Sequence, residues 1–145
     1  MIAIASDHAG YIYKEKIKGL LDQLGLEYQD FGIHSNKPSD YPDEGHAASE
    51  AVSKGVADRG ILVCGSGIGM DIVANKSDGV RAALCITEEM ALLSRRHNNA
   101  NILVVGERVT PWETVEKITR TWLSTPFEGG RHQRRVEKIH SLTHR

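Results

Sequence analysis

The sequence predicts an α/β sandwich on a parallel sheet, and three observations carry that reading. Apolar runs of strand length alternate with segments of helical periodicity along almost the whole chain. One run, Ile61-Leu62-Val63-Cys64, is continuously apolar, as in a strand covered on both faces. The glycine loop Gly65–Gly69 follows that strand directly and opens a helix, a strand–turn–helix order typical of ligand-binding α/β proteins.

Ile2–Ala5 reads as a strand stopped by Ser6-Asp7, with Asp7 placed to cap a helix. Tyr13, Ile17, Leu20, Leu21 and Leu24 share one face of that helix, and Gly25 ends it. Leu26–Phe31 is a second strand and Gly32–Tyr41 a loop. Ala47, Ala48, Ala51 and Val52 give Pro42–Lys54 helical spacing, and Gly55 stops it. After the central strand and its glycine loop, a short helix is expected from Met70 to about Lys76. Val80–Ile86 and Asn101–Val105 are the fourth and fifth strands, with a helix over Glu88–His97 between them. Pro111 suits the first position of a helix reaching Leu123, and Arg131–His144 is a basic final helix. No repeat, low-complexity stretch or linker divides residues 1–145, so a single domain is expected.

Composition narrows the function classes. Lys+Arg 18 against Asp+Glu 19 leaves a formal charge of -1, so there is no global field for nucleic acid, and an anion site needs local clustering. Cys64 and Cys85 are too few for a disulfide framework and lack metal-ligand spacing. The opening Met1–His8 reaches an acid before a signal-type apolar region forms, and no apolar run approaches membrane-spanning length. A cytoplasmic protein with no membrane partner is the expectation.

Three glycines in the five positions 65–69 make sense where a backbone turns sharply and a ligand approaches its N–H groups. Such a helix start suits an oxyanion or phosphate. Cys64 borders this loop. It is either a reactive thiol or a small hydrophobe completing the strand. Other loop chemistries fail on spacing. Gly-x-Gly-x-Gly is not a dinucleotide fingerprint, and a P-loop's Gly-Lys-Ser/Thr is absent. Met70 stands where a cysteine phosphatase needs arginine, and Cys64 where a nucleophile elbow needs glycine.

Asp7-His8 also lies at the carboxyl end of a strand, either facing the same crevice or merely capping. Asp40-Tyr41-Pro42 is a loop over the site or a plain turn. His97 ends a helix, where the dipole favours it. Its place before the fifth strand puts it near the opposite sheet edge from Cys64. A catalytic His97 would therefore serve another subunit, which predicts a shared active site. Arg131 and Arg135, four apart, can grip a phosphate together, or form part of a solvated basic face. Arg108 is a further phosphate ligand or a surface turn residue. Nothing aromatic interleaves the basic tail, which argues against nucleic acid.

Ser6-Asp7-His8-Ala9-Gly10, Asp40-Tyr41-Pro42, Cys64-Gly65-Ser66-Gly67-Ile68-Gly69, Ala74-Asn75-Lys76, His97-Asn98 and Gly129-Gly130-Arg131-His132 together resemble the ribose-5-phosphate and galactose-6-phosphate isomerase family over nearly the whole chain. The resemblance implies a Rossmann-like three-layer α/β/α sandwich with a five-stranded parallel sheet. It also implies no metal or organic cofactor, and homodimers or homotetramers with sites between subunits. It makes Cys64 the base that shuttles a proton between C2 and C1 of the open-chain sugar. The backbone of Gly65, Gly67, Ile68 and Gly69, with the Ser66 hydroxyl, would hold the enediolate oxygen. Asp7 and His97 would help to open the furanose ring, and Tyr41 would lie beside the sugar. His8, Asn98, Arg108, Arg131 and Arg135 are similar to the family's sugar-phosphate contacts.

Two positions depart from the pattern. One branch of the family uses a glutamate just after the loop, where this chain has Met70, which accepts no proton. Asp71 replaces a small uncharged residue, and a carboxylate there would oppose thiolate formation. The expected reaction interconverts D-ribose 5-phosphate and D-ribulose 5-phosphate through a cis-enediolate. The alternatives are a hexose 6-phosphate isomerase and, from another class, a non-catalytic sugar-phosphate sensor.

Overall fold

The computed structural model describes residues 1–145. Its five strands are β1 (Ile2–Ser6), β2 (Tyr28–Asp30), β3 (Arg59–Cys64), β4 (Ala82–Leu84) and β5 (Ile102–Gly106). They form one parallel sheet in the order β2-β1-β3-β5-β4. The helices are α1 (Tyr11–Gln23), α2 (Tyr41–Ser53), α3 (Ile68–Ala74), α4 (Glu88–Arg96), α5 (Trp112–Ser124) and α6 (Arg131–Thr143), with a single 3-10 turn at His8–Gly10. No helix is long and apolar enough to cross a membrane.

The alternation of side chains along each central strand builds two cores. Ile2, Ile4, Ile61, Val63, Leu103 and Val105 meet Ile17 and Leu21 of α1 and Val115, Ile118 and Trp122 of α5. On the other face Ala3, Ala5, Leu62, Cys64, Ile102 and Val104 meet Ala48, Ala51 and Val52 of α2 and Met70 and Ala74 of α3. The three-layer α/β/α arrangement follows, because each strand face must be covered by helices.

Several element boundaries differ from the sequence reading. β2 and β4 are shorter than 26–31 and 80–86, and both are edge strands with a neighbour on one side only. The helix after the glycine loop starts at Ile68 rather than Met70, because Gly67 at φ +82° turns the chain as its cap. Pro111 is the cap of α5 and not its first helical residue. Leu24 ends α1 41% exposed, while Lys14, which apolar periodicity passes over, is fully buried. Its ammonium meets both oxygens of Asp30 at 2.9 Å and the Ile33 carbonyl.

β5 lies next to β3 with Gly106 opposite Cys64, so the segment before it is not at a far sheet edge. His97 is separated from Cys64 along the strands instead. It caps the end of α4, which descends to the amino ends of the sheet. A five-residue strand such as β5 spans roughly 16 Å, so the two ends of the sheet are separate surfaces.

Candidate active site

Sheet order turns between β1 and β3. The chain passes from β1 outward to β2, then returns to the other side of β1. In an open α/β sheet the crevice at the carboxyl ends of such a strand pair receives the ligand. Here that crevice is a pocket of about 360 Å³ lined by Asp7 and His8 just after β1, Cys64 at the end of β3 with Gly65 and Ser66 beyond it, Gly69 from α3, Tyr41 from α2 and Arg108 from beyond β5.

Each wall has an identifiable local cause. Asp7 caps the 3-10 turn, its Oδ1 accepting the Gly10 N–H at 3.1 Å. The capping role is therefore real, and the carboxylate still lines the pocket, since a carboxylate accepts several bonds. Gly10 allows this approach, since a Cβ there would stand 2.6 Å from the Val63 carbonyl oxygen. The His8 Nδ1 accepts the Ser39 N–H at 3.1 Å. Accepting at Nδ1 places the ring proton of neutral His8 on Nε2, so the residue offers the pocket a donor. Tyr41 is the first residue of α2 and its ring lies against the loop, where a Cβ on Gly69 would be 2.7 Å from the phenol carbons.

The Cys64 side chain is 4% exposed and belongs to the core over α2 and α3, yet its residue borders the pocket. Its sulfur accepts the Gly67 N–H at 3.2 Å. The Ile68 N–H is taken by the Ser66 Oγ, also at 3.2 Å. Gly67 and Ile68 thus spend their donors within the loop, and neither lines the pocket. The Gly65, Ser66 and Gly69 N–H groups have no acceptor elsewhere in the chain, and all three residues line the crevice. These three N–H groups, with the Ser66 hydroxyl, are the donors available to a developing oxyanion.

Asp71 does not line the pocket. Burial raises its carboxyl above the usual range against the opposing hydrogen bond from the Leu84 amide. Its charge bears on Cys85, whose thiol is pushed up to about 11, chiefly by burial, against a hydrogen bond to Ser94.

The remaining predicted residues do not reach this pocket. His97 stacks face to face on His132, with ring centroids 4.2 Å apart and planes 11° from parallel. Asn98 follows on the same turn, its carbonyl accepting the Arg81 Nε–H at 3.2 Å. Arg131 and Arg135 project, exposed, from the first turns of α6 beside that stack. The set divides into a group at the carboxyl ends of the strands and a second group at the amino ends. Sequence reasoning missed Ser39, which orients His8, and gave His132 no role. The signal for His132 was its place in the Gly129-Gly130-Arg131-His132 motif.

Comparison with known proteins follows this geometry closely. Residues 2–139 match the model of the ribose/galactose isomerase family. The chain belongs to that family. Ribose-5-phosphate isomerase B of Escherichia coli is 43% identical over 144 residues, spanning 99% of this chain and 97% of that protein. Among solved structures, ribose-5-phosphate isomerase B of Clostridium thermocellum superposes with a TM-score of 0.96 at 49% identity, covering 99% of this chain and 97% of the other. The Mycoplasma genitalium enzyme, solved with bound ribulose-5-phosphate, gives 0.94 at 40% identity and covers 99% and 95%. Family membership thus extends over the strands, the glycine loop and most of α6.

Proposed function

We propose that this chain is an aldose–ketose isomerase that interconverts D-ribose 5-phosphate and D-ribulose 5-phosphate, with Cys64 as the base. The observation that carries the mechanism is the Cys64 sulfur held by a main-chain N–H at the rim of a pocket that also presents oxyanion donors. A family relative solved with ribulose-5-phosphate supports the substrate.

The Cys64 thiolate takes the hydrogen from C2 of the open-chain aldose, and the C–H electron pair forms the C1–C2 double bond. Charge moves to O1, where the Gly65, Ser66 and Gly69 N–H groups and the Ser66 hydroxyl hold it. The O2 proton passes to O1, the carbonyl forms at C2, and the Cys64 thiol returns its proton to C1. Asp7 and His97 assist ring opening, Tyr41 flanks the sugar, and His8 and Arg108 approach the substrate from the pocket wall.

His97, Asn98, Arg131 and Arg135 act, in this proposal, on the pocket of a second copy of the chain, in a homodimer or a homotetramer. Their position at the amino ends of the strands supports this, and so does an apolar rim at the carboxyl ends. Ile68, Ile72, Ile86, Met90 and Val109 are all exposed around α3, the start of α4 and the pocket mouth. Mixing inactive Cys64→Ala and His97→Ala proteins tests it. In a hybrid dimer one of the two sites is whole, so activity should return. Permanent inactivity of the mixture overturns the shared site. Assays of ribose 5-phosphate against hexose 6-phosphates on purified protein test the substrate, and preferential hexose turnover overturns the pentose reading.

A further inference from the structure

Outside the pocket, the densest group of metal-ligating side chains is His97, Glu128 and His132, whose ligand atoms all lie within 4.8 Å of one another. Three local features assemble it. His97 caps the end of α4. The Glu128 N–H donates to the Arg96 carbonyl at 3.1 Å, which fastens the next segment to that helix end. Gly129 and Gly130, at φ +71° and +57°, then turn the chain so that α6 begins with His132 facing back.

His132 supplies the independent observation. The residue is 5% exposed, and its Nε2 is buried with no hydrogen-bond partner. The nearest carboxylate oxygen, from Glu128, is 3.9 Å away, too far for a hydrogen bond. A buried imidazole nitrogen without a partner is uncommon and costs free energy. Here it is aimed at a second imidazole and a carboxylate.

We propose that His97, Glu128 and His132 bind a borderline transition-metal dication, above all Zn²⁺, and that occupancy withdraws His97 from the sugar. Two imidazoles and one carboxylate form a donor set that Zn²⁺ accepts with an open fourth position. The same set discriminates against Mg²⁺ and Ca²⁺, which prefer all-oxygen shells. Zn–N and Zn–O bonds near 2.0–2.2 Å require donor atoms roughly 3.3 Å apart, so the group must contract and the stacked rings must turn edge-on. Movement is available on the right side. His132 is buried, whereas Glu128 is exposed and the half-exposed His97 ring makes no hydrogen bond. Arg131 and Arg135 lie close enough to disfavour a dication. They set the site's affinity below that of a dedicated structural zinc centre, as a reversible inhibitory site needs.

The inhibitory half rests on the isomerase reading; the binding half does not. Zn²⁺ is titrated calorimetrically, and Co²⁺ by its visible absorption, into Cys64→Ala protein, which lacks the competing sulfur. One ion per chain is expected, with no heat from Mg²⁺. Adding Glu128→Gln, or His132→Asn, should weaken binding at least about tenfold. Glu128 is exposed at 55%, so its substitution leaves the fold intact. In the activity arm, Zn²⁺ should inhibit the wild type reversibly to EDTA. Glu128→Gln should keep its basal turnover and need at least about tenfold more Zn²⁺. Equal binding to the protein with and without Glu128 overturns the site. Equal inhibition of wild type and Glu128→Gln overturns the inhibitory half. A protein that binds the ion as described but isomerises no sugar would overturn the isomerase reading and leave the metal site standing.

Discussion

The Gly67 main-chain N–H points at the Cys64 sulfur from 3.2 Å, across the turn that joins β3 to α3. That turn requires φ +82° at Gly67, and a Cβ there would stand 2.4 Å from Leu84 Cδ1. Sulfur, donor and helix start are therefore fixed by one glycine. Gly67→Ala should lose about 1–2 kcal/mol to the left-handed backbone alone, and more through the clash. Isomerase activity should fall further than thermal stability does, read by comparing kcat with Tm on the same preparation. An unchanged kcat would separate the loop from the reaction.

The bond from Ser39 to His8 Nδ1 predicts an asymmetry between two conservative changes. Asparagine can keep the acceptor at the Nδ1 position, whereas glutamine can keep a donor near Nε2. If Nε2–H contacts the sugar phosphate, His8→Gln should hold KM closer to wild type than His8→Asn does. Steady-state kinetics decide it, and the reverse order would assign the functional atom to Nδ1.

The two cysteines should differ sharply toward alkylation. Cys85 is 1% exposed and held up to about 11, first by burial and further by the Asp71 charge. It stays a neutral thiol at pH 7 and should resist iodoacetamide. Cys64 lines the pocket and should be labelled, with ribulose 5-phosphate protecting it. Peptide mapping by mass spectrometry reads the result. Labelling confined to Cys85 would contradict it.

Lys14 and Asp30 form the buried ion pair beneath the loop that carries Ser39 and Tyr41. Burial alone would raise the Asp30 carboxyl, but hydrogen bonds from Lys14, the Gly32 amide and Lys18 together hold it below the usual carboxylate range. A depressed acid adds stability that is complete above its unfolded value, near pH 4, and drains away as pH falls through the folded one. Asp30→Asn leaves the Lys14 ammonium buried without its charge and should cost about 3–5 kcal/mol at pH 7. The difference from wild type should shrink below about pH 4. Chemical denaturation at pH 7 and pH 3 checks both, and a pH-independent difference would contradict the pair's role.

Lys14 also marks where the sequence stopped being informative. The apolar rows of α1, the continuous apolar run of β3 and the glycine cluster are local patterns, and all appear in the structure. Lys14 occupies a core position because Asp30, on a neighbouring strand, neutralises it, and no local pattern reveals a partner sixteen residues away. The edge strands are shorter than their sequence pattern because apolar residues such as Leu26 and Val80 stand before the first paired residue. His97 could be placed before β5 from sequence, but the sheet order that puts β5 beside β3 could not. The polar residues lining the pocket and those of the second group were legible in the sequence, apart from Ser39 and His132. The division of the site between the two ends of the sheet needed three dimensions.

Deuterium wash-in from solvent tests the central claim most directly. In D₂O, wild-type protein should incorporate deuterium at C1 of ribulose 5-phosphate, followed by proton NMR. Cys64→Ala should still bind the sugar phosphate and show exchange slowed by at least about 10²-fold, the lower range for a positioned general base. Exchange by Cys64→Ala at the wild-type rate would show that another group moves the proton.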